Sequence, residues 1–191
     1  MLILCNYMTK MQTKKSIKLR LRGPTLVFID WANVHGWQRT LKRKIDLDAV
    51  QGELKTLDNV HDIRIYHGRD KHPSSRRFLE RSLRHGLSVV TKEVKYLDDV
   101  DREGCTRISR KCDFDIEIAL DVWRAVERGV TGFVFLSGDG DFAPLYEELV
   151  RRGKQVIVVY AHGHLGREVY ALSGGIFRVA FLHLWPNAFL V

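Results

Sequence analysis

The sequence predicts a three-layer α/β fold in which a mainly parallel central sheet is flanked by helices. From Thr25 onwards, short apolar and β-branched runs alternate with longer amphipathic stretches, which is the pattern of repeated βα units. Several of the amphipathic stretches end at a glycine, as helix C-termini often do. The chain has 191 residues and 45% hydrophobic content, which is enough for one substantial core.

Short apolar runs are predicted to form the strands of this sheet. They are Thr25–Asp30, Asp62–His67, Leu87–Val94, Gly132–Ser137, Gln155–Tyr160 and Ile176–Leu182. Between them lie stretches whose apolar residues recur near the helical period. These predicted helices are Leu47–Leu57, Ser74–His85, Phe114–Arg128, Phe142–Arg152 and Arg167–Leu172. Such helices act as right-handed crossovers, so they must cover both faces of the sheet.

The expected organisation is a single domain with a short segment at each end. Residues 1–24 form a basic and flexible N-terminal extension, residues 25–182 the α/β domain, and residues 183–191 an apolar C-terminal tail. The tail either packs on the domain or forms a homodimer contact. Within the domain, Tyr96–Lys111 is the longest stretch without a clear period, and we expect a mobile, solvated loop there.

The composition argues against a membrane protein and favours a polyanionic partner. No apolar run approaches the roughly 20 residues needed to span a bilayer, and the first residues do not resemble a secretory signal, so the expected location is the cytoplasm. The net charge of +8 attracts phosphates, although much of it lies in the acid-free residues 1–29. Cys5, Cys105 and Cys112 show no C-x-x-C spacing, which argues against a disulfide framework and a structural zinc site.

Aspartates follow two of the predicted strands. Asp30 closes the first strand, and Asp139 comes directly after the run Phe133–Leu136. Ligands collect beyond the carboxyl ends of the strands in open parallel sheets, so both carboxylates should project at one rim. Asp141 lies two residues further on, where capping the next helix is an alternative role. Two carboxylates in one Gly-rich turn repel each other, and a bound cation would relieve that cost.

A second acidic group begins the helix predicted before the Gly132 strand. Asp115 lies in its first turn, where capping is again the alternative. Asp121 lies about nine Å further along by the standard helical rise, so we expect it to support the site rather than bind a metal. Asn33 is a neutral ligand, the residue that orients Asp30, or an ordinary turn residue. Oxygen ligands of this kind suit Mg²⁺ or Mn²⁺, and such ions promote phosphoryl transfer.

These residues fall into three motifs, on which the chain resembles the NYN domain, also called LabA-like, of the PIN-like nuclease superfamily. The match covers roughly Thr25–Leu182. The motifs read Phe28-Ile-Asp-Trp-Ala-Asn33, Lys111-Cys-Asp-Phe-Asp115 through Asp121, and Phe135-Leu-Ser-Gly-Asp-Gly-Asp-Phe142 followed by Arg152-Gly-Lys-Gln-Val156.

The resemblance implies a Rossmann-like PIN fold and, as in many relatives, endoribonuclease activity that depends on Mg²⁺ or Mn²⁺. The implied catalytic metal ligands are Asp30, Asp115, Asp139 and Asp141. Asn33 and Ser137 match motif positions that support these acids. Two positions depart from the family pattern: Trp31 replaces a residue that is commonly small, and Ser173-Gly-Gly175 stands where relatives often carry a further Asp.

Basic and aromatic side chains near the rim suggest how RNA would bind. Basic residues after the second strand and on the next helix could track a phosphate backbone, and a solvated helix face is the common alternative. A tryptophan beside Asp30 could stack on an unpaired base, with core packing as its alternative. The predicted RNA contacts are Trp31, Arg69, Lys71, Arg77, Arg81 and Lys111.

Two hypotheses from different functional classes follow. The first is a Mg²⁺- or Mn²⁺-dependent endoribonuclease that hydrolyses RNA phosphodiester bonds with a metal-activated water. The alternative is a catalytically silent RNA-binding or scaffold module in which the acids cap helices. A haloacid-dehalogenase-like phosphatase is excluded because Ala32 stands where it needs a second acid. A Toprim-like nuclease ranks lower because it prefers Glu where this chain has Asp30.

Overall fold

The structure is a parallel sheet with a helical layer on each face and a separate hairpin at one side. The computed structural model describes residues 17–100 and 106–190. In chain order the strands are β1 (Thr25–Asp30), β2 (Val60–Tyr66), β3 (Ser88–Val90), β4 (Lys95–Val100), β5 (Thr106–Lys111), β6 (Gly132–Leu136), β7 (Gln155–Tyr160) and β8 (Ile176–Ala180). The helices are α1 (Trp31–Leu41), α2 (Leu47–Lys55), α3 (Pro73–Arg84), α4 (Asp115–Glu127), α5 (Ala143–Arg151), α6 (Arg167–Ala171) and α7 (Phe181–Leu184).

The order of the strands in the central sheet reverses direction between β1 and β6. Its six strands run in the order β3-β2-β1-β6-β7-β8, and each neighbouring pair is parallel. The chain builds outwards from β1 to β3 on one side and from β6 to β8 on the other. In such sheets a crevice forms beyond the carboxyl ends of the two strands where the winding reverses. Those ends are Asp30 on β1 and Leu136 on β6.

Alternation along the strands divides the core into two layers, because successive side chains of a strand point to opposite faces. On β1, Val27 and Ile29 belong to one hydrophobic cluster, which contains residues of α1 and α2. Leu26 and Phe28 belong to the other, which contains residues of α4 and α5. The expected three-layer fold with a mainly parallel sheet is confirmed. Asp30 has the parity of Phe28 and therefore lies on the α4 and α5 side.

Several elements differ from the sequence-based expectation. The segment Tyr96–Lys111, expected to be a loop, forms most of the antiparallel hairpin β4–β5. The prediction failed because this hairpin lies outside the main sheet and carries charged residues on both strands, so it has no apolar face to reveal its period. It is attached to the domain at Asp70, which accepts hydrogen bonds from the Tyr96 hydroxyl and the Arg110 guanidinium.

Helix α1 was not expected at all, although it follows β1 without a break. Its buried residues are Trp31, Val34 and Trp37, which are spaced by three and form a narrow apolar stripe. Most of the other residues of the helix are polar, so the helical period is weak in the sequence. Strand β8 is also shorter than predicted, because the chain turns into the short helix α7 directly after Ala180.

The segments next to the ends of the described chain pack against the domain. Leu19 is buried in the core, and the backbone N–H of Ile17 donates to the carbonyl of His183 over 2.9 Å. At the other end, Trp185 and Phe189 are buried in the same core cluster. Residues 1–16, which make up most of the predicted basic extension, lie outside the described residues. Within the part of the chain that the structure describes, no helix has the length and apolar character to cross a bilayer.

Candidate active site

Asp30 links the first strand to the first helix. It is the last residue of β1 and the N-cap of α1, where its Oδ1 accepts a hydrogen bond from the backbone N–H of Asn33 at 3.2 Å. Its Oδ2 accepts a hydrogen bond from the Ser137 hydroxyl at 3.4 Å. The carboxylate therefore joins the ends of β1 and β6, the two strands that flank the change of winding.

Asn33 and Ser137 hold these two strand ends together. The Asn33 Oδ1 accepts hydrogen bonds from the indole N–H of Trp37 at 2.8 Å and from the backbone N–H of Gly138 at 3.1 Å. The Ser137 hydroxyl oxygen accepts from the backbone N–H of Asp139 at 3.3 Å. Asn33 thus orients Asp30 through its own backbone and uses its side-chain oxygen to bind the loop after β6.

Asp139, rather than Asp141, caps the turn that follows β6. Asp139 is the N-cap of a short 3₁₀ turn at Gly140–Phe142, and its Oδ1 accepts from the backbone N–H of Asp141 at 3.1 Å. The capping alternative considered for Asp141 is therefore wrong. Asp141 lies exposed within the turn, and its backbone N–H is held by the cap that Asp139 provides.

Gly138 allows the turn to pack against the loop after β7. A Cβ atom at this position would lie 1.5 Å from the carbonyl oxygen of His164, so only glycine fits without moving the backbone. The contact is fastened by the backbone N–H of Gly166, which donates to the Gly138 carbonyl at 2.7 Å. This packing fixes the position of the acidic turn relative to the sheet.

Asp115 begins α4 but does not cap it. The N-cap position is occupied by Phe114, whose side chain makes no capping hydrogen bond. Among the described residues, no hydrogen bond to the Asp115 carboxylate is formed. Its capping alternative has no support in the structure, so the carboxylate is free to interact with a ligand at the rim.

Burial and mutual repulsion show that the predicted acids share one region. Burial raises the pKa of Asp30 to about 6, helped by the charges of Asp139 and Asp115 and opposed by the Asn33 N–H bond. Burial also raises the pKa of Asp115, with further increases from Asp139, Asp113 and Asp141. Each of these charges disfavours ionisation of its neighbours. The structure therefore brings Asp30, Asp115, Asp139 and Asp141 within electrostatic reach of one another.

Positive charge compensates the acid site only weakly: the charge of Lys92 lowers the pKa of Asp115, but less than burial and the neighbouring acids raise it. None of the four carboxylates takes part in a salt bridge among the side chains that the structure describes. In residues 17–100 and 106–190, no three His, Cys, Asp or Glu side chains converge closely enough to hold a metal ion as they stand, so cation binding requires the carboxylates to turn inward. The donor set nevertheless suits a hard divalent cation, since it consists of carboxylate and hydroxyl oxygens.

Asp121 lies on the same helix but belongs to a different cluster. The Tyr66 hydroxyl donates to its Oδ2 at 2.9 Å, while Arg64 and Arg124 form salt bridges with it at 3.1 and 3.0 Å. Burial works to raise the pKa of Asp121, but these hydrogen bonds and the Arg64 charge hold it below its ordinary value. Asp121 therefore fastens α4 to β2, and the expectation that it supports the acid site is not met by its contacts.

Comparison with protein families identifies the chain. The NYN domain model matches residues 24–171. The chain belongs to the NYN domain family. This family is part of the PIN-like nuclease superfamily, as the three motifs implied. Comparison with curated proteins gives no match.

A solved structure supports the fold of this NYN domain. It is the crystal structure of a protein of unknown function from Vibrio parahaemolyticus, which aligns with a TM-score of 0.65 and 19% sequence identity. The alignment covers 92% of this chain and 100% of the other. At this level of identity the likeness concerns the fold alone.

A cleft of about 660 Å³ opens at the start of α1 in the NYN domain, and none of the four acids lines it. It begins at Trp31 and Ala32, directly after Asp30, and extends below the β4–β5 hairpin to His67 and Arg110. Burial, together with the charges of His35 and Arg110, lowers the pKa of His67 to about 4. The imidazole is therefore neutral at pH 7, and it can both donate and accept a hydrogen bond.

The predicted RNA contacts of the NYN domain fall into two groups. Trp31 is only 8% exposed and its ring stacks on Phe78 at 4.5 Å, so little of the ring is accessible to a base. Arg81 pairs with Asp46 and Asp48, and Arg69 pairs with Glu93 at 2.9 Å. The exposed side chains that pair with no described acid are Lys71, Arg77 and Lys111.

Sequence reasoning missed Tyr146 as a residue of this site. It is completely buried on α5, and the charges of Asp30 and Asp139 add to burial in raising its pKa. Its hydroxyl group has no hydrogen-bond partner among the described residues. The only available signal was its place one helical turn after Phe142 in an apolar stripe, which indicates core packing and says nothing about where the hydroxyl lies.

Proposed function

We propose that this NYN domain is a Mg²⁺- or Mn²⁺-dependent endoribonuclease that hydrolyses RNA phosphodiester bonds. The observation that carries the proposal is that acids at the crevice between β1 and β6 disfavour one another's ionisation, while none of the four forms a salt bridge with a described side chain. Such an arrangement is costly to the free protein. A structural role for the acids does not account for it, because Asp115 and Asp141 cap nothing.

The residues proposed to hold the cation are Asp30, Asp115, Asp139 and Asp141. A bound divalent cation would supply an activated water and neutralise charge on the leaving oxygen. Ser137 and Asn33 orient Asp30, and the cap formed by Asp139 holds the backbone of Asp141 in the turn. The orphaned hydroxyl of Tyr146 beside the acids is a further sign that the site is built for an additional ligand.

The cleft beside Trp31 and Ala32 is the proposed path of the RNA strand. Lys71 and Arg77 lie at α3, and Lys111 ends β5 just before the second acidic group, so their charges can contact phosphates on the way to the acids. His67, neutral and partly buried in the cleft, can form a hydrogen bond with a base or ribose. Base stacking on Trp31 is not part of this proposal.

Cleavage of a labelled single-stranded RNA in Mn²⁺ tests the proposal. We expect the wild-type protein to cut internally, and Asp30→Asn to lose activity while it keeps its fold and RNA affinity, since Asn still accepts the N–H of Asn33. Asp46→Asn is the matched control, because Asp46 caps α2 in the same way but lies outside the acid site. Cleavage that survives in Asp30→Asn or in excess chelator contradicts the proposal.

Retained RNA binding without cleavage of any RNA would instead favour the silent binding module. The cytoplasmic location, the homodimer and the domain boundaries at residues 24 and 182 stay predictions. Gel filtration and limited proteolysis of the full chain test the last two.

A further inference from the structure

Tyr146 has a feature that core packing leaves unexplained. Its side chain is completely buried, and its hydroxyl group has no hydrogen-bond partner among the residues that the structure describes. Burial of an unsatisfied hydroxyl costs free energy, which a phenylalanine of nearly the same shape would avoid. The hydroxyl therefore destabilises the free protein unless another group satisfies it.

The packing of the ring places Tyr146 on the face of the sheet that carries the acid site. Tyr146 packs on Phe135 with ring centroids 4.7 Å apart. Phe135 and Ser137 point to the same face of the sheet, because they are two residues apart at the end of β6, and Ser137 is bonded to Asp30. In agreement, the charges of Asp30 and Asp139 raise the pKa of Tyr146, so the phenol stays protonated and can only gain by donating to an acceptor.

Tyr66 provides an internal reference for this arrangement. It is also completely buried and belongs to the same hydrophobic cluster. Its hydroxyl group donates to the Asp121 carboxylate at 2.9 Å, and the same carboxylate is neutralised by Arg64 and Arg124. Thus the fold satisfies one buried phenol next to a carboxylate and leaves the other unsatisfied at the site with unbalanced charge.

We propose that Tyr146 is a positioning residue whose hydroxyl group donates a hydrogen bond to a water molecule held against Asp30 and Asp139 when the site binds a divalent cation. This inference rests on the proposed metal-dependent function and goes beyond its ligand set. A water in a polar site with several partners is stably bound, and groups that orient ligands around a metal commonly change its affinity by 10- to 100-fold.

The proposal predicts that the hydroxyl has opposite effects on the free and the loaded protein. Tyr146→Phe removes an unsatisfied group from the free protein, so its melting temperature without cation should be equal to or higher than that of the wild type. The same substitution removes the donor that holds the water, so the affinity for Mn²⁺ should fall about tenfold. If Tyr146 only packed the core, its substitution by Phe would leave the affinity for Mn²⁺ unchanged.

Mn²⁺ titration of the full chain, followed by electron paramagnetic resonance after treatment with chelator, tests the proposal. The proteins are the wild type, Tyr146→Phe and the matched control Tyr66→Phe, which should lower the melting temperature and leave Mn²⁺ affinity within about twofold. Thermal unfolding without cation is recorded for all three.

Three outcomes overturn the role of Tyr146. Wild-type Mn²⁺ affinity in Tyr146→Phe overturns that role alone, and the metal-dependent function stands. A clear loss of stability in cation-free Tyr146→Phe overturns it as well, because the hydroxyl would then have a partner already. Failure of the wild type itself to bind Mn²⁺ overturns the metal-dependent function and this inference together.

Discussion

Helix α4 carries two acidic residues with opposite surroundings, the half-buried Asp115 and the buried Asp121. Asp115 at its start lies among like charges that raise its pKa, after the effect of burial. Asp121, six residues later, is surrounded by a phenol and two guanidinium groups, which lower its pKa against the effect of burial. The same residue type on one helix is therefore neutralised where it serves the fold and left unbalanced where a ligand can bind. Whether an acid has a counter-charge therefore distinguishes a structural acid from a candidate ligand-binding acid better than its burial does.

The sharpest test of this comparison is activity. Asp115→Asn should reduce RNA cleavage in Mn²⁺ by at least about 100-fold, because it removes a proposed metal ligand. Asp121→Asn should leave cleavage within about threefold when assayed at a temperature where it is folded. Rates measured under single-turnover conditions check both variants. Equal losses in the two would remove the distinction between the clusters.

Stability should show the reverse order. Asp121→Asn removes a charge that pairs with Arg64 and Arg124, and we expect the free energy of unfolding to fall by about 3 kcal/mol, at the low end for a broken buried pair. The low end applies because Arg64 keeps Asp62 as a partner at 2.8 Å. Chemical denaturation measures the change. A loss under about 1 kcal/mol would show that the cluster is not structural.

The pH dependence of the cation-free protein should reveal the cost of the acid site. Because the folded-state pKa of Asp30 is raised from 3.8 to about 6, the stability it contributes is present below pH 4 and is lost as pH rises to about 6. Asp30→Asn should remove this loss, so at pH 7 in chelator the variant should be about 3 kcal/mol more stable than the wild type.

Urea denaturation from pH 4 to pH 7 provides the measurement, with Asp46→Asn as the control that keeps the wild-type profile. Parallel pH profiles for wild type and Asp30→Asn would mean that Asp30 is not under strain in the folded protein.

The smallest effect is expected at the surface that leads to the acids. Lys111→Ala should weaken binding of single-stranded RNA about threefold in chelator and reduce the slope of log affinity against log salt by about 1. Arg128→Ala, an exposed cation just beyond the far end of α4, is the control and should leave affinity nearly unchanged. Fluorescence anisotropy over a salt series gives both values. Identical losses would indicate attraction by net charge alone.

The chain's periodicity was sufficient to predict the sheet and the principal acids. Asp30 and Asp139 could be placed at one rim because parallel strands present their carboxyl ends together, and Asp115 was added through the family motifs. The β4–β5 hairpin was missed because it lies outside the main sheet, and α1 because its apolar stripe is narrow. A hydrophobic period is visible in the sequence only where an element buries a wide apolar face against the core. Neither the hairpin nor α1 has such a face.

Only the tertiary structure decided which acids gain a counter-charge and which buried hydroxyl groups gain a hydrogen-bond partner. Asp115 and Asp121 look alike in the sequence, as two acids on one predicted helix, and Tyr66 and Tyr146 look alike as buried aromatics. Asp121 is compensated because β2, which ends 55 positions earlier in the chain at Tyr66, brings the Arg64 guanidinium and the Tyr66 hydroxyl against it. Tyr146 is left without a described partner because its ring packs on Phe135 within an apolar cluster. Local spacing determines where a side chain points along its own element, whereas its counter-charge or hydrogen-bond partner comes from distant segments that meet only when the chain folds.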